Sequence, residues 1–264
     1  MTGPPPRDGR VAFAGDDVWY SDTGGPGPAV VLLHPYAGSG RSFSRQVDAF
    51  HAAGHRVVTY SRRGHTGSSG PTDVTATAAD ELRAVVDTLE LGPAHLVASA
   101  AGGFVAADFA QSWPDALRTL VLACTMIGIE DDDYAELCRT YRPTSFDEMS
   151  SEERELTAAY RSHDPDGVDA WRANLPERPV PLPPQRRPIT WQTVERLSVP
   201  TLLIAGDHDP YFPPQVMRAV ADRVPHATST VVEGTGHSAY WERPADFNRV
   251  VLDFLERASA PQTA

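Results

Sequence analysis

The run His95-Leu96-Val97-Ala98-Ser99-Ala100-Ala101-Gly102-Gly103-Phe104 constrains this chain more than any other ten residues. An apolar, partly β-branched stretch gives way at once to small residues and then to a helical pattern, as in a strand that turns sharply into a helix. In a nucleophile elbow the apex residue is held in a strained backbone conformation. The positions two before it and two or three after it must then be nearly free of side chain. Centring the turn on Ala100 puts Ala98, Gly102 and Gly103 at the crowded places, whereas centring on Ser99 puts the bulky Val97 there. Ala100 is therefore read as the apex and Ser99 as its neighbour. The apex then carries no hydroxyl.

Around this turn the chain alternates between two periodicities. Val30-Val31-Leu32-Leu33, Arg56 to Tyr60 and Leu96-Val97 are short apolar runs of the kind buried on both faces of a parallel sheet. Leu82, Val85, Val86 and Leu89 recur at i, i+3, i+4 and i+7, the stripe of a helix packed on a sheet. Leu117 to Leu122, Thr201 to Ala205 and Thr228 to Val232 predict further strands, and Phe247, Val250, Val251, Phe254 and Leu255 share one face of a closing helix. Before the Gly24 to Pro28 turn, Val11 to Phe13 and Val18 to Tyr20 predict an antiparallel edge. Strict β/α alternation predicts an α/β fold with a mostly parallel central sheet flanked by helices.

One region breaks the rhythm. From about Met126 to Trp191 there is no strand pattern, the helical signals are short, and Leu175 to Pro188 is crowded with proline. A stretch that long without sheet character inside a compact domain is read as a functional insertion, a helical cap over the strand ends, with a disordered linker as the alternative. The expected division is a core of residues 1–125 and 192–264 with a cap of residues 126–191. The aromatic residues Tyr134, Tyr141, Phe146, Tyr160 and Trp171 either line an apolar pocket or form the core of the cap itself.

Three further motifs fall where the sheet would place them. Leu32-Leu33-His34-Pro35-Tyr36 follows the first long buried strand, Leu203-Ile204-Ala205-Gly206-Asp207-His208-Asp209 ends a later strand with an acid, and Glu233-Gly234-Thr235-Gly236-His237 ends the next with a base. The order elbow, acid, histidine separates the α/β-hydrolase arrangement from the other serine-hydrolase folds. With Arg62-Arg63-Gly64-His65-Thr66-Gly67-Ser68 and Glu242-Arg243-Pro244 added, the chain from about Val18 to Leu255 resembles the α/β-hydrolase fold superfamily, in its lipase, lactonase and C–C hydrolase branch. The resemblance implies an α/β-hydrolase fold with a helical cap insertion. It implies Ala100 at the nucleophile position, Asp209 as acid, His237 as base, and the backbone N–H groups of Tyr36 and Ala101 as an oxyanion hole. His34, Ser99, Trp171 and Tyr134 are expected near the substrate, His34 and His65 also recurring in the family as structural histidines. Two departures stand out: Pro35 where glycine usually follows the histidine, and Ala100 without its hydroxyl.

Each of these residues has a plainer reading. Asp209 is also a turn residue before Pro210, and Asp207 lies two positions away, so the choice of acid rests on the family spacing. His237 could cap a loop, and His208 reads as an exposed loop residue. Without a serine no ester to the enzyme forms at position 100, and losing that serine costs roughly 10⁶ in turnover in a subtilisin-type triad. Either alanine was introduced into a serine hydrolase, or it is native and the fold runs other chemistry, His237 deprotonating water or substrate. The expected activity is attack on a small apolar carbonyl compound, by ester, lactone or C–C bond hydrolysis. A cofactor-free lyase, isomerase or oxygenase and a non-catalytic ligand-binding protein are the alternatives.

Composition narrows the partners. Net charge −12 over 264 residues disfavours nucleic acid and anionic membranes, leaving a small-molecule substrate. Cys124 and Cys138 lack metal-binding spacing, and neither metal nor cofactor is expected. The opening Met-Thr-Gly-Pro-Pro-Pro lacks the features of a signal peptide and no apolar run is long enough to span a bilayer, so a cytoplasmic monomer or homodimer is expected.

Overall fold

The computed structural model describes residues 5–178 and 180–259. Eight strands form one sheet: β1 (Arg7–Phe13), β2 (Asp16–Asp22), β3 (Ala29–Leu33), β4 (Arg56–Tyr60), β5 (Ala94–Ser99), β6 (Leu117–Ala123), β7 (Thr201–Gly206) and β8 (Ala227–Val232). Their order is β1-β2-β4-β3-β5-β6-β7-β8. β1 and β2 are the antiparallel edge expected from sequence, β2 pairs antiparallel with β4, and every later pairing is parallel.

The inner strands have two apolar faces because each packs against a separate helical layer. Val31, Leu33, Leu96, Ala98, Leu120, Leu122, Leu203 and Ala205 join one buried cluster, and their chain neighbours Val30, Leu32, Val97, Val121, Leu202 and Ile204 join the other. This is the period-2 alternation of side chains along a strand, filled on both sides. The first cluster is closed by Leu82, Val85 and Val86 of the Ala78–Thr88 helix, which starts where the Thr77 side chain accepts from the Asp80 N–H at 3.1 Å. The second is closed by Phe247, Val251, Phe254 and Leu255 of the Pro244–Ser259 helix.

The 126–191 segment contains the short helices Asp132–Tyr141, Ser151–Glu155, Ala158–His163 and Pro165–Arg172. Among its described residues the only β-type pairing is an isolated bridge between Ile129 and Ile189. It does not stand apart from the sheet. Ile127, Ile129, Tyr134, Cys138 and Ile189 belong to the first buried cluster, and Leu156, Val168 and Trp171 to the second. Both cysteines are free and buried. No helix among the described residues is long and apolar enough to cross a membrane.

Candidate active site

Position 100 is the apex of the turn between β5 and the Ala101–Ser112 helix, with φ 49° and ψ −119°. For an alanine such angles cost of order 1–3 kcal/mol, which the surroundings must impose. They do so through two short anchors: the Ala100 N–H donates to the Ala123 carbonyl at 3.0 Å, and the Ala100 carbonyl accepts from the Gly103 N–H at 2.9 Å. The small residues after the apex have steric causes. A Cβ on Gly102 would collide with the Leu33 carbonyl, and one on Gly103 with the Thr125 side chain. Ser99 is the last residue of β5, with a buried hydroxyl that has no hydrogen-bond partner among the described residues.

The acid and the histidine come from the loops after β7 and β8. Both carboxylate oxygens of Asp209 lie 2.9 Å from His237 Nδ1, and Oδ1 also accepts from the backbone N–H groups of Tyr211 (2.9 Å) and Phe212 (3.0 Å). Asp207 serves the loop instead, accepting from the Thr235 N–H at 3.0 Å, so Asp209 alone of the two reaches the imidazole. Burial by itself would push the proton off His237. The Asp209 and Glu155 carboxylates overcome that, and the imidazole is raised to about 9. The two carboxylates thus favour the protonated form of the ring.

The loop after β3 is set by a buried polar frame. His34 donates through Nδ1 to the Pro35 carbonyl (2.7 Å) and accepts at Nε2 from the Arg62 N–H (3.0 Å), which fixes a neutral tautomer. Burial, then the Arg62 charge, holds that imidazole well below its ordinary value. The Arg62 guanidinium donates to the carbonyls of His34 (2.6 Å) and Pro35 (3.0 Å). A trans peptide points its N–H opposite its carbonyl. The Tyr36 N–H therefore points away from Arg62. His65 closes the frame with its Nδ1 2.9 Å from the Gly38 carbonyl and its ring edge-on to His34 at 4.6 Å. Pro35 thus works here through its carbonyl, a role open to proline as to glycine.

Ala100, Ala101, Tyr36 and His237 line one cavity of about 570 Å³, walled by Phe104, Met126, Val180, Pro181, Leu182, Glu155 and Tyr211. A neighbouring lobe of about 410 Å³ shares Ala101, Phe104 and Leu182 with it. The walls are mostly apolar, so the polar atoms stand out against a low-dielectric surround. Four residues expected near the substrate are not in this lining. His34 is fully buried in its hydrogen-bond frame, and Ser99 is buried with its hydroxyl unpaired among the described residues. Tyr134 donates to the Met126 carbonyl at 2.8 Å and stacks edge-on against Trp191, while Trp171 is buried in the second cluster.

Sequence reasoning missed Tyr211 and Glu155. Tyr211, stacked 4.4 Å from the His237 ring, was within reach because it lies two residues beyond the acid. Glu155 had no signal. It ends the exposed-looking run Ser-Glu-Glu-Arg-Glu, and only the fold turns it inward. Among the described residues no group of three or more metal-ligating side chains occurs.

The sequence profile of the alpha/beta hydrolase fold matches residues 28–244. The chain belongs to the alpha/beta hydrolase family. It is 30% identical to a 2-hydroxy-6-oxononadienedioate/2-hydroxy-6-oxononatrienedioate hydrolase of Burkholderia vietnamiensis, covering 91% of each chain. Among solved structures it resembles a thermophilic esterase from Thermogutta terrifontis (TM-score 0.79, 23% identity, 96% of this chain and 100% of that one). It also resembles the enol-lactonase from Burkholderia xenovorans LB400 (TM-score 0.77, 21% identity, 94% of this chain and 100% of that one). At those identities the two structures speak to the fold alone. The curated relative is named as a hydrolase, and this chain is an enzyme of that family.

Proposed function

We propose that this enzyme acts on a small, largely apolar carbonyl compound, an ester, a lactone or a vinylogous diketone, in the cavity over Ala100. The 126–191 segment forms the cap that closes it. The observation that carries this reading is the His237–Asp209 pair, with two 2.9 Å contacts, facing a cavity into which Ala100 and the loop of Tyr36 also open. Neither the Tyr36 nor the Ala101 N–H donates a hydrogen bond among the described residues, so both are free for a developing oxyanion. Ala101 begins a twelve-residue helix, whose positive end adds to that stabilisation.

With a methyl at the apex, the bond-making step passes through proton transfer by His237 and not through an acyl-enzyme. Incubating the protein with a 2-hydroxy-6-oxo dienoate, an enol-lactone and short acyl esters, while following product and intact protein mass, tests this. Turnover without a mass adduct is expected; an acyl adduct, or turnover unaffected by loss of His237, contradicts it. A second reading, a serine hydrolase in which alanine replaces the nucleophile, is favoured by one observation. The strained apex serves to present a side chain, and a methyl has no use for that strain.

A further inference from the structure

Among the described residues lining the larger lobe, Glu155 is the only carboxylate and His237 the only imidazole. Glu155 is the last residue of the Ser151–Glu155 helix, whose other glutamates stay partly exposed. Burying a carboxylate costs several kcal/mol unless partners repay it, and solvent was one turn away. Two clasps hold it in. The Ser238 N–H donates to the Glu155 carbonyl and the Ser238 hydroxyl to its carboxylate, each at 3.0 Å. The Glu242 carboxylate accepts from the Gly236 N–H (2.7 Å) and from the backbone and hydroxyl of Thr157. The end of this helix is thus fastened to the very loop that carries the imidazole.

We propose that Glu155 and His237, which line the same cavity, are an acid–base pair acting on an enolisable ketone or vinylogous diketone held over the Ala100 methyl. The pair rests on the carbonyl-binding reading above and needs no nucleophile. The Glu155 carboxylate removes a proton from the carbon beside the carbonyl, the C–H electron pair becomes a C=C bond, and the carbonyl oxygen takes the proton from His237 Nε2. The products are an enol, a protonated Glu155 and a neutral imidazole. Returning the two protons regenerates the ketone or moves its double bond, with no oxidant or cofactor consumed.

The charges around the pair fit this division. Asp209 holds Nδ1 on the far side of the imidazole and favours its protonated form, and burial raises the Glu155 carboxyl above its ordinary value, which strengthens it as a base. Tyr211, Tyr240, Glu242 and Cys124 are the other titratable groups facing the pair. Burial raises all four, which keeps both phenols and the thiol neutral at physiological pH.

Deuterium uptake by phenylacetone in heavy water, followed by mass spectrometry, tests the proposal. The parent protein should accelerate uptake beside the carbonyl, and Glu155→Gln and His237→Gln should each lower the enzymatic rate by about 10²-fold or more. Uptake by Glu155→Gln at the parent rate, or by the parent at the buffer rate while phenylacetone binds, overturns it. Absence of any binding to the folded parent counts instead against the carbonyl-binding reading, and so against both. NMR titration of the His237 ring in Glu155→Gln is the control against a purely structural loss. Its midpoint should fall below the parent's; an unchanged midpoint overturns the pairing.

Discussion

The two halves of the site are held in different ways. Ala100, Asp209 and His237 sit on loops directly after β5, β7 and β8, each anchored by short hydrogen bonds to the sheet or to one another. The facing wall of Glu155, Met126 and Val180 to Leu182 comes from a segment of short helices and proline-rich backbone, with Leu182 59% exposed. On the proposed reading the sheet half, together with Glu155, carries the chemistry, and the rest of the other half governs what is admitted. Substitutions in the first, and at Glu155 in the second, should therefore change rates, and the remaining substitutions in the second should change binding or fold stability.

The largest effect tests whether the sheet half is complete but for one oxygen. Ala100→Ser is expected to raise turnover of short acyl esters by about 10³-fold or more, bounded by the roughly 10⁶ that a nucleophilic serine contributes elsewhere. Ester hydrolysis assays read it directly. No gain, with the dyad intact, would point to a site built for other chemistry.

Next, the 126–191 segment divides internally. Trp171→Ala should cost about 3–5 kcal/mol of stability, as for other buried large-to-small changes, because this ring is 2% exposed in the second cluster. Leu182→Ala should leave stability within about 0.5 kcal/mol while weakening ligand binding. Denaturant melts and ligand titrations separate the two. The reverse pattern would mean that Trp171 does reach the ligand.

The pH dependence of folding sharpens the comparison further. The imidazole of His237 is raised from 6.5 to about 9, so its stabilising ion pair is fully present below about 6.5 and is lost as pH rises through 9. Asp209→Asn should remove most of that decline between pH 6.5 and 9, leaving the part due to Glu155, while a change in the distant wall such as Leu182→Ala should preserve it. Equilibrium unfolding across this range is the measurement.

The smallest effect concerns the apex. Ala106→Gly, at a fully buried helical position, should lose about 1 kcal/mol or more. Ala100→Gly should cost clearly less or even stabilise, because glycine relieves the strain at φ 49°. Equal losses at the two positions would mean that the apex stores no strain.

Legibility in the sequence follows the same division. The elbow could be read to the residue because its small neighbours are demanded by contact with the Leu33 carbonyl and with Thr125, which leaves a mark on composition. The inner strands could be read because both of their faces are apolar. Asp209 and His237 were marked by their places after strand ends. Glu155 carried no mark, since a glutamate turned inward by tertiary packing is spelled like one turned to water. Trp171 and Tyr134 misled for the complementary reason: a large aromatic fits a core as well as a pocket wall, and here the core holds them.

The central claim is that the sheet-borne dyad transfers protons to and from a ligand that the rest of the cavity binds. Product formation and ligand dissociation, measured in parallel on the parent protein and on His237→Ala, test it most directly. The account predicts turnover lowered by about 10²-fold or more with affinity kept within about tenfold. Undiminished turnover in His237→Ala would remove the imidazole from the mechanism and contradict the account.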